Sequence, residues 1–245
     1  MYAPSTRPVV LDPRGAANIC ANCEARSQSV CDAVPDSDIA RLAAIAVVTR
    51  AEPGTTFIQE GDSATHFFNI SAGTVRMYKM LPDGRRQITG FSGVGHFLGL
   101  AVSDTYAFSA EAIDCVRFCK FSRARVRTLL DDFPAMEKRL LAVASTELVA
   151  AQDQMLLLGR KTARERLASF LMLQSRQGTI CQGSRSRFAL PMSRGDIADY
   201  LGLTIETVSR TLTKLRTEGF IEIPSASEIA IRAPGALENL ATGMA

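Results

Sequence analysis

The alternation of apolar and polar residues changes period three times along the chain. Asp36–Val48 has apolar residues at Ile39, Leu42, Ala43 and Ile45–Ala46, the spacing of a short amphipathic helix. From Pro53 to about Phe121 the apolar runs shorten and glycines separate them. Thr55–Gln59, Phe67–Ile70, Val75–Met80 and Gln87–Phe91 read as strands, with Gly61-Asp62, Gly73, Pro82-Asp83-Gly84, Gly93, Gly95 and Gly99 between or after them. Many short strands at close spacing predict a β-sandwich or roll, and Pro82–Gly84 predicts a turn through both its proline and its glycine. Near Asp131-Asp132-Phe133-Pro134 the period turns helical again. Proline is tolerated in a first helical turn, and acids suit the positive end of the helix dipole.

On that helix Leu141, Ala144, Leu148, Ala151, Met155 and Leu158 recur at steps of three and four, a heptad seam suited to pairing with another helix. A second stripe, Leu140, Val143, Ala150 and Leu157, is expected to pack on the roll. Further on, Ser193 reads as an N-cap with Asp196 completing a capping-box-like start. Ile197, Ala198 and Leu201 form an inner face, Gly202 a tight turn, and Thr204 the next cap. Ile205, Val208, Leu212 and Leu215 are expected to point inward, which leaves Glu206, Ser209, Arg210 and Thr213 together on the opposite face. This pattern is a helix-turn-helix. Gly219 ends it, and Phe220–Ile223, Pro224–Ser227 and Glu228–Ile231 predict a hairpin wing. Arg210 can donate twice to guanine, Glu206 can accept from a cytosine amino group, and Ser209 can serve base or phosphate. A helix with two apolar faces beside such a motif points to a symmetric dimer.

Charge strengthens the nucleic-acid reading. The net charge is only +3, yet residues 160–216 hold eleven basic side chains against four acids. That excess coincides with the helix-turn-helix, as phosphate attraction requires. At 245 residues and 47% hydrophobic content the chain accommodates two modest domains. No apolar stretch approaches a membrane span, and residues 1–19 lack the apolar block of a signal peptide, so a cytoplasmic location is expected. In that compartment six cysteines point to metal or redox chemistry rather than structural disulfides. Cys20, Cys23 and Cys31 crowd one short loop, an odd number that suits a soft metal centre better than a disulfide. Thiolate sites of this kind take zinc or iron–sulfur, and spacing leaves both open. No paired carboxylates, phosphate loop or nucleophile–histidine set stands out, so no enzyme is expected. The histidines, His66 and His96, are absent from the long helix, which disfavours a haem sensor.

From about Cys20 to Ile231 the chain resembles the CRP/FNR superfamily of bacterial transcription regulators. Arg194–Arg210, Gln87-Ile-Thr-Gly-Phe91 and Asp153–Leu158 are similar to its FNR branch in particular. The resemblance implies an α+β protein: an N-terminal β-roll (double-stranded β-helix, or jelly roll, of the cyclic-nucleotide-binding type), a long dimerisation helix and a C-terminal winged helix-turn-helix. The corresponding organisation is a flexible tail (1–19), a cysteine-rich metal-binding loop (20–32), a sensory roll (33–132), the dimerisation helix (133–159) and the DNA-binding domain (160–245). It further implies one oxygen-labile [4Fe-4S] cluster per subunit that promotes a homodimer on double-stranded DNA with palindromic TTGAT-type half-sites. An activator of this kind contacts RNA polymerase, with exposed roll loops such as Pro82–Arg86 as the surface. Glu206, Ser209 and Arg210 become the base readers, with Thr204, Thr207, Thr213 and Lys214 beside them. Family proteins take the fourth ligand from a cysteine at the end of the roll. That pattern laid on Ala112-Ile113-Asp114 implies Cys119, with Cys115, of the same strand parity, in reserve. Cys181 has no place in the pattern.

The chain also departs from the family. Gly99-Leu-Ala-Val-Ser-Asp-Thr lacks the arginine with which family members hold a cyclic nucleotide, so none is expected. Ala151 stands where some FNR proteins carry an acid on the seam, which predicts a dimer population even without a cluster. Ala21, Asn22, Glu24, Ala25 and Arg26 offer no aromatic cover, so oxygen is expected to reach the irons. The alternative reading is a family regulator whose loop is zinc-bound or empty and which answers another signal.

Overall fold

The computed structural model describes residues 7–8, 20–100, 104–177 and 187–244. Two compact units emerge, Met1–Lys79 with Gly90–Val149, and Met80–Thr89 with Ala150–Ala245.

In the first unit, strand β1 (Arg7–Pro8) pairs with Thr49 and Arg50. These two residues of the expected tail are therefore tied to a sheet, and the rest of it lies outside the described residues. The segment after the cysteines folds as three 3-10 turns, Arg26–Gln28, Val30–Ala33 and Asp36–Asp38. Ser29 starts the second by accepting from the Cys31 N–H, and Arg26 donates to the Val34 carbonyl at 2.6 Å. Helix α1 (Ile39–Ile45) follows and stops where Ala46 turns extended. Ala46–Val48, expected to be helical, instead begin β2 (Ala46–Ala51), because the β-branched run Val47-Val48-Thr49 suits a strand that has a partner to pair with.

The roll comprises β3 (Thr56–Ile58), β4 (His66–Ala72), β5 (Val75–Met80), β6 (Arg86–Ser92), β7 (Phe97–Leu98), β8 (Ser109–Ala112) and β9 (Val116–Ser122). One sheet runs β1-β2-β9-β4-β7 and the other β3-β8-β5-β6. The β4–β5 turn depends on Gly73, at φ 85°. A Cβ there would sit 2.6 Å from Asp114 Oδ1 and 2.9 Å from Val116 Cα.

Strand β9 organises the interior. Val116 and Phe118 face into the roll with Ile58, Phe68, Ile70 and Val75. Cys119 and Phe121 face the other way, into a second apolar cluster with Cys31, Leu42, Leu129 and Met136. The period of two along a strand produces this division. Helix α2 (Arg123–Asp132) and the start of α3 (Pro134–Arg160) close that second cluster, α3 through Met136, Leu140 and the half-buried Val143.

The second unit contains α4 (Ala163–Gln177), β10 (Arg187–Ala189), α5 (Arg194–Leu201), α6 (Ile205–Thr217), β11 (Ile221–Ser225), β12 (Glu228–Ile231) and α7 (Pro234–Thr242). The wing hairpin gains a third strand, in the order β10-β12-β11. Leu167, Phe170 and Leu171 of α4 are buried, as are Ile197, Leu201, Val208, Leu212 and Leu215 of the helix-turn-helix. Leu157, expected on the roll, is buried among the residues of this unit, and Ala150 of the same stripe is exposed. Cys181 lies outside the described residues.

Phe118 is 1% exposed in the roll interior. Phe118→Ala should therefore cost about 3–5 kcal/mol of stability, read from urea denaturation.

Candidate functional site

The helix-turn-helix is built by its caps. The Ser193 hydroxyl accepts from the Asp196 N–H at 3.0 Å, and the Asp196 carboxylate accepts from the Ser193 N–H at 3.0 Å, a complete capping box. Gly202 closes α5 in the left-handed conformation at φ 61°, where a Cβ would press on Leu158 and Arg166. Thr204 then caps α6 by accepting from the Thr207 N–H. Within the same unit, Arg86 donates to Asp196 and Asp199, and the Gln87 side chain donates to the Asp199 carbonyl at 2.7 Å. Sequence reading missed this anchor, because nothing in local spacing links residues 86 and 196.

Val208, Leu212 and Leu215 point inward as expected, joined by Thr211. Ile205 does not: at 52% exposure it stands at the open start of α6. Glu206, Ser209, Arg210, Thr213 and Lys214 are exposed along α6, with Thr204 at the cap and Thr207 half-buried behind it. The Glu206 carboxylate is held below its ordinary value by its own backbone N–H and by the Thr204 hydroxyl. These bonds favour its ionised, acceptor form. Thr213 donates back to the Ser209 carbonyl.

Part of the basic excess is internal. Arg164 pairs with Glu218, Arg176 with Glu238 and Arg187 with Glu228. Lys161 and Arg166 are committed to backbone carbonyls, including Ala241 and Leu201. The side chains of Arg210, Lys214 and Arg216 make no hydrogen bond or ion pair with any described residue. Three uncommitted cations thus stand on α6, with Arg160 and Arg194 outside it.

On α3 the predicted seam is open. Leu141, Leu148 and Met155 are 68%, 62% and 66% exposed, Ala144 and Ala151 are exposed, and Leu158 is half-buried. Apolar side chains at coiled-coil spacing are left bare along one side of a 27-residue helix.

The four cysteines singled out from sequence share one neighbourhood. Cys31 and Cys119 are 8% and 7% exposed in the same apolar cluster, against which Cys20 packs. Burial pushes the Cys119 thiol up to about 12, and negative charge on Cys31, Cys20 or Cys23 pushes it further in the same direction. Burial likewise raises Cys31 to about 11, opposed by a hydrogen bond with Ser29, and raises Cys20. Cys115 stands in a different setting. It is exposed and lies in the turn before β9 begins, so the strand parity assumed for it does not apply. The loop cover is uneven: Ala21, Asn22 and Glu24 are exposed, but Ala25 is fully buried and Phe97 and Phe121 floor the cluster. Among the described residues no three His, Cys, Asp or Glu side chains are gathered as around a single metal ion. A zinc ion would need its sulfurs about 3.8 Å apart. His96, half-buried, accepts from the Gly93 N–H through Nδ1, a turn role.

Roll, long helix and capped helix-turn-helix together define a DNA-binding transcription regulator. Residues 48–133 match the cyclic nucleotide-binding domain, and residues 165–240 the Crp-like helix-turn-helix domain. The chain belongs to the CRP/FNR family and is a transcriptional activator, not an enzyme. It is 40% identical to the nitrogen fixation regulation protein FixK of Bradyrhizobium diazoefficiens, over 95% of this chain and 97% of that one. It is 42% identical to the transcriptional activatory protein AadR of Rhodopseudomonas palustris, over 82% and 84%. The solved structure of FixK2 from Bradyrhizobium japonicum superposes with a TM-score of 0.75 at 38% identity, covering 80% of this chain and 97% of that one. Regulators of this family bind DNA as dimers. No helix among the described residues is long and apolar enough to cross a membrane.

Arg210→Ala should cost about 1–3 kcal/mol at one base pair, read as lost discrimination there when operator variants compete for binding. A uniform loss across sequences would make Arg210 a phosphate contact. The thiols generate a pH prediction. Folding raises Cys31 and Cys119 from 9.0 to about 11 and about 12. Above pH 9.0 the unfolded chain sheds protons that the folded chain keeps. Stability of the reduced, metal-free protein should therefore be flat below that point and fall as pH rises toward about 12. Urea denaturation at a series of pH values, compared with Cys119→Ala, checks this.

Proposed function

We propose that this activator is oxygen-responsive and acts in the cytoplasm as a global regulator under anaerobic and microaerobic conditions. Cys20, Cys23, Cys31 and Cys119 would hold one [4Fe-4S] cluster per subunit. The observation that carries the reading is the meeting of four thiols, from two distant parts of the sequence, beneath the first turns of α3. When bound, such a cluster supplies a thiolate-held, oxygen-labile cross-link between residues 20–31 and β9. The protein's own part begins with protons: thiols held neutral by burial must release them to become ligands, so loading is pH-dependent. Exposed Ala21, Asn22 and Glu24 leave a thin cover over Cys20 and Cys23 through which oxygen enters.

Coupling to DNA follows from packing. Met136, Leu140 and Val143 lie against the thiol cluster, while Leu141, Ala144 and Leu148 form the seam on the same turns of α3. A change in packing at the thiols therefore biases the helix that pairs two subunits, and with it the population of DNA-competent dimer. The dimer would read palindromic TTGAT-type half-sites through Glu206, Ser209 and Arg210 and engage RNA polymerase. With Ala151 on the seam, no buried carboxylate opposes pairing, so a dimer population persists without the cluster.

Protein purified without air should absorb broadly near 400 nm, carry iron and acid-labile sulfide, and bleach in an oxygen pulse. Cys119→Ser should abolish the colour and Cys115→Ser should retain it. A colourless, iron-free wild-type protein that still binds DNA would overturn the proposal in favour of a zinc-bound or empty loop.

A further inference from the structure

Strand β4 carries one residue that apolar packing beneath α3 does not account for. Phe68 and Ile70 face into the roll. The period of two along the strand turns Phe67 and Asn69 to the opposite face, where Phe67 packs against the cluster that contains the thiols. Register fixes the neighbours of Asn69. It pairs with Cys119 of β9 on one side and Phe97 of β7 on the other, and Cys119 pairs in turn with Val48 of β2. Phe97, Asn69, Cys119 and Val48 therefore form one row across the sheet. Phe97 and Cys119 belong to the cluster and Val48 packs on it, which leaves Asn69 as the one amide in the row.

Asn69 is 1% exposed, and its Oδ1 has no hydrogen-bond partner. A buried amide left unpaired at one end costs stability that a leucine of nearly the same shape would not. The fold alone gives no reason for an asparagine here. Its cross-strand neighbour does. Side chains directly opposite in an antiparallel pair hold their Cβ atoms about 4.5–5.5 Å apart, a gap that an amide and a sulfur can bridge. A neutral thiol is a weak partner, but an ionised sulfur accepts strongly, and half a turn of the amide presents N–H2 in place of the oxygen.

We propose that Asn69 is a positioning residue for the Cys119 ligand: its side-chain N–H2 donates to the Cys119 sulfur once that sulfur is ionised and metal-bound. The donated bond stabilises the loaded site and tunes it, because hydrogen bonds to the sulfurs help to set a cluster's potential. This inference rests on the reading of Cys20, Cys23, Cys31 and Cys119 as cluster ligands.

Full-length wild type, Asn69→Leu and Asn69→Thr, each reconstituted without air from ferrous iron and sulfide, test it. Leucine keeps the shape and removes the donor, and threonine keeps one hydroxyl donor. Asn69→Leu should lose iron to a chelator several-fold faster than wild type and show a more negative midpoint potential, with Asn69→Thr between the two. The urea midpoint of metal-free Asn69→Leu should equal or exceed that of wild type. Failure of Asn69→Leu to load while that midpoint holds would also support the proposal. A lowered urea midpoint, or an iron-loss rate and potential unchanged from wild type, would overturn the role of Asn69 alone. A wild type that takes up no iron would overturn it together with the cluster reading.

Discussion

The first unit depends on the hydrogen-bonded register of β9. The strand is paired on both sides, Cys119 opposite Val48 of β2 and Asn69 of β4. Its even-numbered side chains fill or line the roll, and Cys119 and Phe121 look out at the loop and helices packed on the sheet. A slip of one residue would exchange the two sets, placing Lys120 among apolar helices and Cys119 inside the roll. The pairing that seals the roll therefore also aims the Cys119 thiol toward Cys31 and Cys20. The cysteine site needs no scaffold of its own beyond a few 3-10 turns folded against that face.

This placement ties the chemistry of the thiols to burial. In the protonated state Cys31 and Cys119 behave as small apolar side chains and complete a cluster with Leu42, Leu129 and Met136. Ionising them there without a compensating cation is unfavourable, which is why both are pushed far above the ordinary thiol value. The metal-free fold is thus self-consistent, and any ligand role must compete with it through proton release. The inner face of α3 is part of that balance, because its first turns are walls of the same cluster.

In the second unit, charge is used chiefly for construction. Asp196 accepts from the Ser193 backbone and receives Arg86, although it is only 3% exposed, so one buried carboxylate both starts α5 and anchors residues 80–89. Arg166 ties α4 to the carbonyls of Leu158 and Leu201 around the Gly202 turn. With many arginines committed in this way, the unpaired cations of α6 are prominent among those left to attract phosphate. On this helix the unpaired cations Arg210, Lys214 and Arg216 lie beside the exposed polar side chains Glu206, Ser209 and Thr213.

Much of this was legible in the residues alone, where the physics is local. Caps, turn glycines and helical spacing act within a few positions, so Ser193–Asp196, Gly202, Thr204 and the open seam on α3 could be read directly. The roll was visible as a class, since short runs separated by glycine have few other solutions. Its pairing was not, because β9 meets β2 and β4 across long stretches of sequence. Ala46–Val48 show the limit: a helical apolar spacing lost to a strand partner some seventy residues away. Only tertiary structure separated Cys119 from Cys115, one buried against the loop and the other left in an exposed turn. Tertiary structure also showed that five of the basic residues in 160–216 are committed to partners within the unit, and that His66, Lys120 and Arg125 line one cavity. Local sequence determines which elements form and which faces they offer. What those faces meet is decided by burial and pairing between segments far apart in the chain.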